Sequence, residues 1–535
     1  ILDIIQLSYD HLEHHLKTCF LHMGTFQEDS QIKVSLLFQQ WIAEGFLQNT
    51  ELGSLEEAAE GYLMDLLSCS LVIVTKRSFN GKVKSCHIHD LVREFCLRKA
   101  KEGNFIHSME PYDQYQQSNC RQRRLFLHLK SGDIESPLDR KHTRGFYQHL
   151  RSLQVFRSGD LHRTGMSNLF SLIVLSRFLR VLDLKSITLH RFQPSGLNYL
   201  LQLRYLAIDI EQFDFEWILD LLYLETLLVS GKCIVEMPPG IWKMTKLRHV
   251  DVCGFSLDLK NKKQLLLEGS FTLENLKIFR TLSIFHDDDM DELIERFPNL
   301  QELELIILSS KKAVVTAQFD IVFPKLERLA HLEALSVQFP VIWWCIVLPF
   351  DFSFPSNLKK LKLVSGLLTA EAVAMIAGLP NLEVLILKLV SFEQQMWVQD
   401  NKRHWDLGDA EFPMLKILKL KYLKIRKWNA SETSFPVLEQ LVVHSCSHLE
   451  EIPPSFSDIL TLKTIKVIDC DKYSKSVEFS ALKIKEEADA ITGYEALQVQ
   501  ITRRQAELNS TKDGQIKEMD PKKMKSLVLG KKFRQ

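Results

Sequence analysis

A leucine frame of the form L-x-x-L-x-L, with Ile, Val or Phe admitted, recurs along most of this chain and constrains its fold more than any other feature. It stands at Leu179/Leu182/Leu184, Leu203/Leu206/Ile208, Leu224/Leu227/Val229 and Leu247/Val250/Val252. It continues at Phe279/Leu282/Ile284, Leu300/Leu303/Leu305, Leu332/Leu335/Val337 and Leu358/Leu361/Leu363. The last copies are Leu382/Leu385/Leu387, Leu415/Leu418/Leu420, Leu438/Leu441/Val443 and Leu462/Ile465/Val467, and a degenerate copy precedes them at Leu150/Leu153/Val155. Successive copies start mostly about 21–33 residues apart, near the period of leucine-rich repeats. One such unit cannot bury its own apolar face, so units stack into a curved solenoid with a long concave surface and no deep cleft. The frame predicts an α/β solenoid horseshoe whose first business is binding something large.

Composition narrows the classes. The 535 residues carry 67 basic and 67 acidic side chains, which argues against a dedicated nucleic-acid binder with its usual basic excess. Ten cysteines stand singly with no C-x-x-C pair, the pattern of reduced thiols in a cytosolic protein. The longest apolar stretch, Phe339 to Phe350, contains Pro340 and Pro349 and falls short of the roughly 20 residues a bilayer span needs. The chain begins at Ile1 inside a helical pattern, so the natural N-terminus is expected upstream and the lack of a leader says little.

Residues 1–105 read as a separate, mainly α module. Leu36, Leu37, Trp41, Ile42 and Phe46 form one helical stripe, and Leu55, Ala58, Ala59, Tyr62, Leu63, Leu66 and Leu67 another. The runs Leu71–Thr75 and Val83–Ile88 flank Asn80-Gly81 and predict a hairpin. A further helix is expected from Asp90, with Asp90 as its N-cap. Helices plus a small hairpin are the plan of a winged helix. Residues 106–148 read as a linker with an irregular capping repeat, 149–480 as the repeats, and 481–535 as a polar tail whose end is disordered and basic. Phe-Pro and Leu-Pro steps such as Phe297-Pro298, Phe412-Pro413 and Phe435-Pro436 open many repeats, with the aromatic expected between the two faces.

Three phrases in the first module carry a resemblance. They are Leu7-Ser8-Tyr9-Asp10-His11-Leu12 running into Cys19-Phe20-Leu21-His22-Met23-Gly24, then Trp41-Ile42-Ala43-Glu44-Gly45-Phe46, then Ile88-His89-Asp90-Leu91-Val92-Arg93. In this order, ahead of leucine repeats, they resemble plant intracellular immune receptors that join a nucleotide-binding (NB-ARC) region to leucine-rich repeats. The detail is similar to the coiled-coil type, as in the late-blight resistance homologues of the nightshades. The resemblance covers essentially the whole chain, with one departure: nothing matches the family's phosphate loop G-x-x-x-x-G-K-[ST] or its Walker B aspartates. The chain therefore looks like the C-terminal part of such a receptor.

The resemblance implies a cytoplasmic, non-catalytic receptor in plant defence, peripheral to membranes at most. Its repeats would sense a pathogen effector or a modified host protein and hold an ADP/ATP switch closed, with oligomerisation on activation in the intact receptor. His89 matches the family histidine that approaches the β-phosphate of ADP, and a hairpin-to-helix junction suits an anion. This stretch alone is expected to bind no nucleotide tightly. Asp287 to Glu292 lacks the glycine and spacing of a calcium loop and reads as a solvated turn and helix start. Trp343-Trp344 reads as part of an irregular repeat or as a recognition patch.

Residues between and beside the inward leucines face the concave side. They are His249, Asp251, Glu302 and Glu304 in the middle repeats, then Lys360, Lys362, Lys388, Lys419, Lys421 and Lys466. This basic stripe is expected to dock an acidic surface, either the receptor's own nucleotide-binding domain or a partner protein; a merely solvated ladder is the plain alternative. Two other functions remain compatible with repeats: a substrate adaptor of a ubiquitin ligase, and a truncated, non-signalling decoy.

Overall fold

A computed structural model describes residues 2–47, 53–78, 81–109, 123–129, 149–157, 166–191, 199–231, 235–256, 271–285, 291–308, 323–339, 353–392, 404–470, 476–495 and 497–503. Trp343-Trp344, Asp287–Asp289 and the chain beyond 503 lie outside them.

The first module is a winged helix. Its helices are α1 (Leu2–His11), α2 (His14–Met23), α3 (Val34–Glu44), α4 (Leu55–Ser68) and α5 (Asp90–Glu102). A three-stranded antiparallel wing joins β2 (Ile73–Arg77) to β3 (Val83–His87) and β3 to β1 (Ile32–Lys33), a two-residue strand that periodicity could not show. Phe20, Leu37, Trp41, Leu63 and Phe95 fill its core. α4 begins with a capping box: Ser54 Oγ accepts the Glu57 N–H and a Glu57 carboxylate oxygen accepts the Ser54 N–H. Gly24 ends α2 where a Cβ would stand 2.5 Å from Cys96 Cβ, so only glycine lets α2 and α5 approach this closely.

The repeats build a parallel sheet. β4 (His107–Met109), β5 (Arg124–Leu129), β6 (Ser152–Arg157), β7 (Val181–Arg191), β8 (Tyr205–Gln212) and β9 (Thr226–Gly231) pair in sequence. β9 pairs with β11 (His249–Ser256), which also carries the short β10 (Val235–Glu236). The series continues through β12 (Ile278–Phe285), β13 (Glu302–Leu308), β14 (Ala334–Gln338), β15 (Lys360–Leu368) and β16 (Val384–Phe392). It closes with β18 (Ile417–Lys421), β20 (Gln440–His444), β21 (Thr464–Ile468) and β22 (Gln498–Thr502). On the outer side, β17 (His404–Asp406) pairs with β19 (Lys427–Asn429) and stacks Trp405 on Trp428, 5.3 Å between centroids.

The frame leucines form one continuous buried core from Leu125 to Leu497. Each fully buried Leu contributes about 1.5–3 kcal/mol relative to exposure, and in a solenoid such contributions accumulate repeat by repeat. Phe297, Phe412 and Phe435 are buried behind the strands, where the Phe-Pro steps predicted them. Asn275, Asn299, Asn357 and Asn381 each donate a side-chain hydrogen bond to a carbonyl of the preceding repeat, tying neighbours together.

The sheet reaches past the frame at both ends. β4 and β5 lie within residues read as linker, and β5 already places Leu125 and Leu127 opposite Leu153 and Val155. At the other end the helix Ser476–Thr492 and strand β22 lie in or run into the stretch read as polar tail; the helix lays Val477, Ala481 and Ile484 over the open end of the core. One copy of the frame is displaced. Phe279 pairs with Val250, so that repeat starts at Leu276, and Thr281 takes the third frame position with φ 58°. The resulting bulge returns Leu282 and Ile284 to the core.

Candidate functional site

The concave face divides into two halves. On the N-terminal half, α3 lies against the strands. Its sequence presents two faces, one apolar and one mixed. Leu37 and Trp41 enter the winged-helix core, while Leu36, Gln40, Ala43 and Glu44, spaced four, three and one apart, face the sheet. Gly45, at φ 75°, ends the helix there. Ala43 packs with Val181, Tyr205 and Ala207, with Leu36 and Leu228 at the margin. Those strand positions face the concave side, where an open surface would carry polar groups. Val181, Tyr205, Ala207 and Leu228 are apolar instead, a departure visible in the sequence that marks a covered surface.

Polar anchors frame this contact. The Glu44 carboxylate is fully buried and accepts two bonds from Arg124, through Nε and Nη2 at 2.9 Å each, and one from Ser152 Oγ. The Arg124 guanidinium lies over Phe46 and Phe105, 4.9 and 4.3 Å from the ring centroids. Gln40 Nε2 donates to Gln154 Oε1 at 3.2 Å and to Asp183 Oδ2 at 3.3 Å, and the Tyr205 hydroxyl donates to the same Asp183 oxygen. Burial raises the Asp183 carboxyl above the usual carboxylate range, against the pull of these donors and the Lys185 N–H. Further along, Glu56 of α4 takes Arg248 through Nε at 2.8 Å and through Nη2, with His249 Nε2 3.6 Å away. Burial pushes the Glu56 carboxyl up, but the Arg248 bond and charge outweigh it and hold the group low.

Two histidines are sealed in this junction. His22 has no exposed surface, and neither ring nitrogen has a hydrogen-bond partner. Its neighbours are Phe26, Phe46 and Phe126, at 6.0, 5.7 and 6.1 Å. Burial drives its pKa down to about 4, with Glu44 opposing and Arg124 adding. His249, expected on the open concave face, is instead buried beneath Glu56. Its pKa also falls to about 4, by burial first, with Glu56 partly offsetting. A neighbouring module covers the position, which strand direction alone does not reveal.

Among the described residues, no helix packs on the C-terminal half of the face as α3 does on the N-terminal half. Lys360, Lys362, Lys388, Lys419, Lys421 and Lys466 stand on β15, β16, β18 and β21, all half-buried along their stems. Lys362 reaches Glu304 at 3.4 Å, and Lys388 lies 5.9 Å from the Tyr422 ring centroid. Among the described residues, Lys360, Lys419, Lys421 and Lys466 have no carboxylate within 4 Å. Burial, then Lys421, then Lys84 of the wing, hold the Lys419 ammonium below the usual lysine range. Burial and Lys84 also act on Lys360, where Glu302 opposes them. Lys84, on the wing strand β3, is thus among the charges that bear on this stripe, a neighbour no sequence spacing could reveal. Glu302 is held bidentately by Arg280, so the acidic middle of the face is largely neutralised.

His89 occupies a separate place. It is exposed and is itself the N-cap of α5: Nδ1 accepts the Leu91 N–H at 3.2 Å. Asp90, expected as the cap, is the first helical residue, where its charge complements the helix dipole. With Nδ1 used as an acceptor, Nε2 is the ring position left to donate outward. That suits an oxyanion, but it is one donor among the many that a nucleotide requires, and the sequence holds no phosphate loop. Among the described residues no three His, Cys, Asp or Glu side chains are placed to hold a metal, and no helix is long and apolar enough to cross a membrane. Asp291 heads a short helix and pairs with Lys325 at 2.7 Å.

Comparison with known proteins gives a consistent pattern. Residues 25–96 match the model of the disease resistance protein winged helix domain, and residues 149–491 match that of a leucine-rich repeat region. The chain is 34% identical over 498 residues to late blight resistance protein R1-A of Solanum demissum, covering 90% of this chain and 36% of that one. It is 36% identical over 495 residues to the putative late blight resistance protein homolog R1B-16 of the same species, with the same coverage. The chain thus spans little more than a third of these relatives. Among solved structures, a leucine-rich-repeat protein of Leptospira interrogans aligns with 75% of this chain and 98% of its own, at 16% identity and a TM-score of 0.39.

Proposed function

Because this chain belongs to the leucine-rich-repeat disease-resistance proteins and is homologous to the late blight resistance proteins, we propose that it is the restraining and sensing part of a cytoplasmic, non-catalytic immune receptor. The observation that carries this reading is the seat of α3 on the concave face, with Glu44 buried against Arg124 and Ser152. A carboxylate without solvent is stable only while its partners are in place, so the contact has two states, closed or separated, and few between. The closed state fixes the winged helix on the repeats. A partner that binds the open half shifts the balance only if it prefers one of the two states.

In this proposal the nucleotide belongs to the longer receptor and supplies the energy difference between its two forms. The role of this chain is narrower: His89 offers Nε2 to an anion at the start of α5, and Glu44, Gln40 and Glu56 hold the winged helix down. The test is Glu44→Ala in a form carrying the upstream nucleotide-binding region, expressed in leaf tissue and scored for cell death. Restraint through this contact predicts death without any elicitor. A variant as quiet as the parent, accumulating to the same level, removes the proposal.

A further inference from the structure

The row of side chains midway between the two core positions has a repeating chemistry on the open half. Strand register sets Lys362 beside Ile386, Ile386 beside Lys419, Lys419 beside Val442, and Val442 beside Lys466. Lysine and a β-branched residue thus alternate over five adjacent strands. Val442 is 7% exposed and Ile386 half-buried, so the apolar rungs are recessed between lysine stems. Among the described residues, only the first lysine of the row has a carboxylate partner, Glu304. Adjacent strands lie about 4.8 Å apart, so lysines in the row recur about every 9.6 Å.

That spacing discriminates between occupants. In an α-helix, residues seven apart lie on one face about 10.5 Å from each other, and residues three or four along fall midway. In an extended peptide, side chains on one face recur at about 6.7 Å and about 13 Å, and neither matches. A nucleic-acid backbone would satisfy the lysines but gain nothing from apolar rungs set between them. The shortfall of about 1 Å per rung lies within the reach of a flexible four-carbon lysine arm.

We propose that the open half of the concave face is a seat for an acidic amphipathic α-helix of a partner protein, lying across β15 to β21. Its carboxylates fall at positions i, i+7 and i+14 on Lys362, Lys419 and Lys466, and its apolar residues between them on Ile386 and Val442. Lys84 of the wing adds its positive charge to those that bear on Lys360 and Lys419. This rests on the reading of the repeats as the sensing surface and names the chemistry sensed.

The test uses the full chain and a fluorescent peptide of about three heptads, helix-stapled, with Glu at i, i+7 and i+14 and Leu at i+3 and i+10. Anisotropy should report saturable binding. It should weaken at least about tenfold, some 1.4 kcal/mol, in Lys419→Glu with Lys466→Glu, and less in Lys84→Glu. Lys463→Glu, which breaks an edge pair with Glu439 outside the row, should leave binding unchanged. Lys419→Gln with Lys466→Gln serves if the double reversal fails to fold, and should also weaken binding. A peptide of equal charge with Glu at i, i+5 and i+9 should bind poorly. Equal binding of both peptides, indifference to the lysine variants, or stronger competition by a single-stranded RNA of equal charge would each overturn the proposal. The result is separate from the restraint reading, since Glu44→Ala can deregulate the receptor whether or not a helix binds here.

Discussion

The two halves of the concave face are built on one backbone plan and behave as opposites. On β6 to β9 the outward positions are Gln154, Val181, Tyr205, Ala207 and Leu228, a surface that requires a cover and has one. On β15 to β21 the same positions hold Lys362, Lys419 and Lys466 in alternation with Ile386 and Val442, and among the described residues no helix is seated on them. The strand edges differ too. In the C-terminal half, Glu333 pairs with Lys359, Glu383 with Lys416 and Glu439 with Lys463, each at 2.8 Å. In the N-terminal half, Arg151, Arg180 and Arg204 follow one another; burial first, and then neighbouring arginines, hold Arg151 and Arg180 below the usual range. The lesson is that a repeat sets where a side chain points, while the next module decides whether that direction means solvent or interface.

The strongest way to break this contrast is at Glu44. Removing one partner of a buried pair costs about 3–5 kcal/mol, so Glu44→Ala should split thermal unfolding into two transitions and raise hydrogen exchange in α3 and β6 to β8. A single unshifted transition would mean that the covered half is not held by this anchor.

Acid should act on the covered half next. The folded-state pKa values of His22 and His249, about 4, lie below the ordinary 6.5. Their stabilisation is therefore complete above about pH 6.5 and is lost as pH falls toward 4, by at most about 1.4 kcal/mol per unit for each group. His22→Phe, which suits the surrounding aromatic box, should reduce this acid sensitivity without lowering the melting temperature at neutral pH. An acid profile identical to the parent's would show that His22 takes up no proton on opening.

A smaller effect of opposite sign is expected at Glu225, whose Oε2 is buried without a partner. Burial raises its pKa to about 7, against the pull of Arg204 and Arg248. A raised carboxylate pKa means stability that is present at low pH and lost as pH rises through about 7. Glu225→Gln should thus raise the melting temperature at about pH 8 and do little at about pH 5. An equal gain at both would point to packing instead of charge. Smallest of all, Lys419→Gln on the open half should change stability by no more than about 0.5 kcal/mol, upward if at all, because it relieves repulsion from Lys421 and Lys84. A clear loss would show that the open half is itself a stabilising contact.

Much of this molecule was legible because solenoids are local. Each frame leucine is buried by its own repeat and the next, so a period in the sequence becomes a period in space, and the lysine stripe followed from counting. Where counting slipped, at Phe279, Thr281 in the left-handed region had inserted a bulge that hydrophobicity alone does not reveal. β22 carries only Val499 and Ile501 of the frame and was hidden by its polar surroundings.

The sequence by itself determined the winged helix, the repeats, the direction of each outward side chain and the kinship carried by three short phrases. The tertiary structure alone decided that α3 closes half of the concave face, that His249 lies beneath Glu56 and that His89 caps its helix. The reason is distance along the chain. Glu44 meets Arg124 and Ser152 across 80 and 108 residues, and Glu56 meets Arg248 across 192. Pairing over such separations depends on how two independently folded surfaces fit, which no local period records.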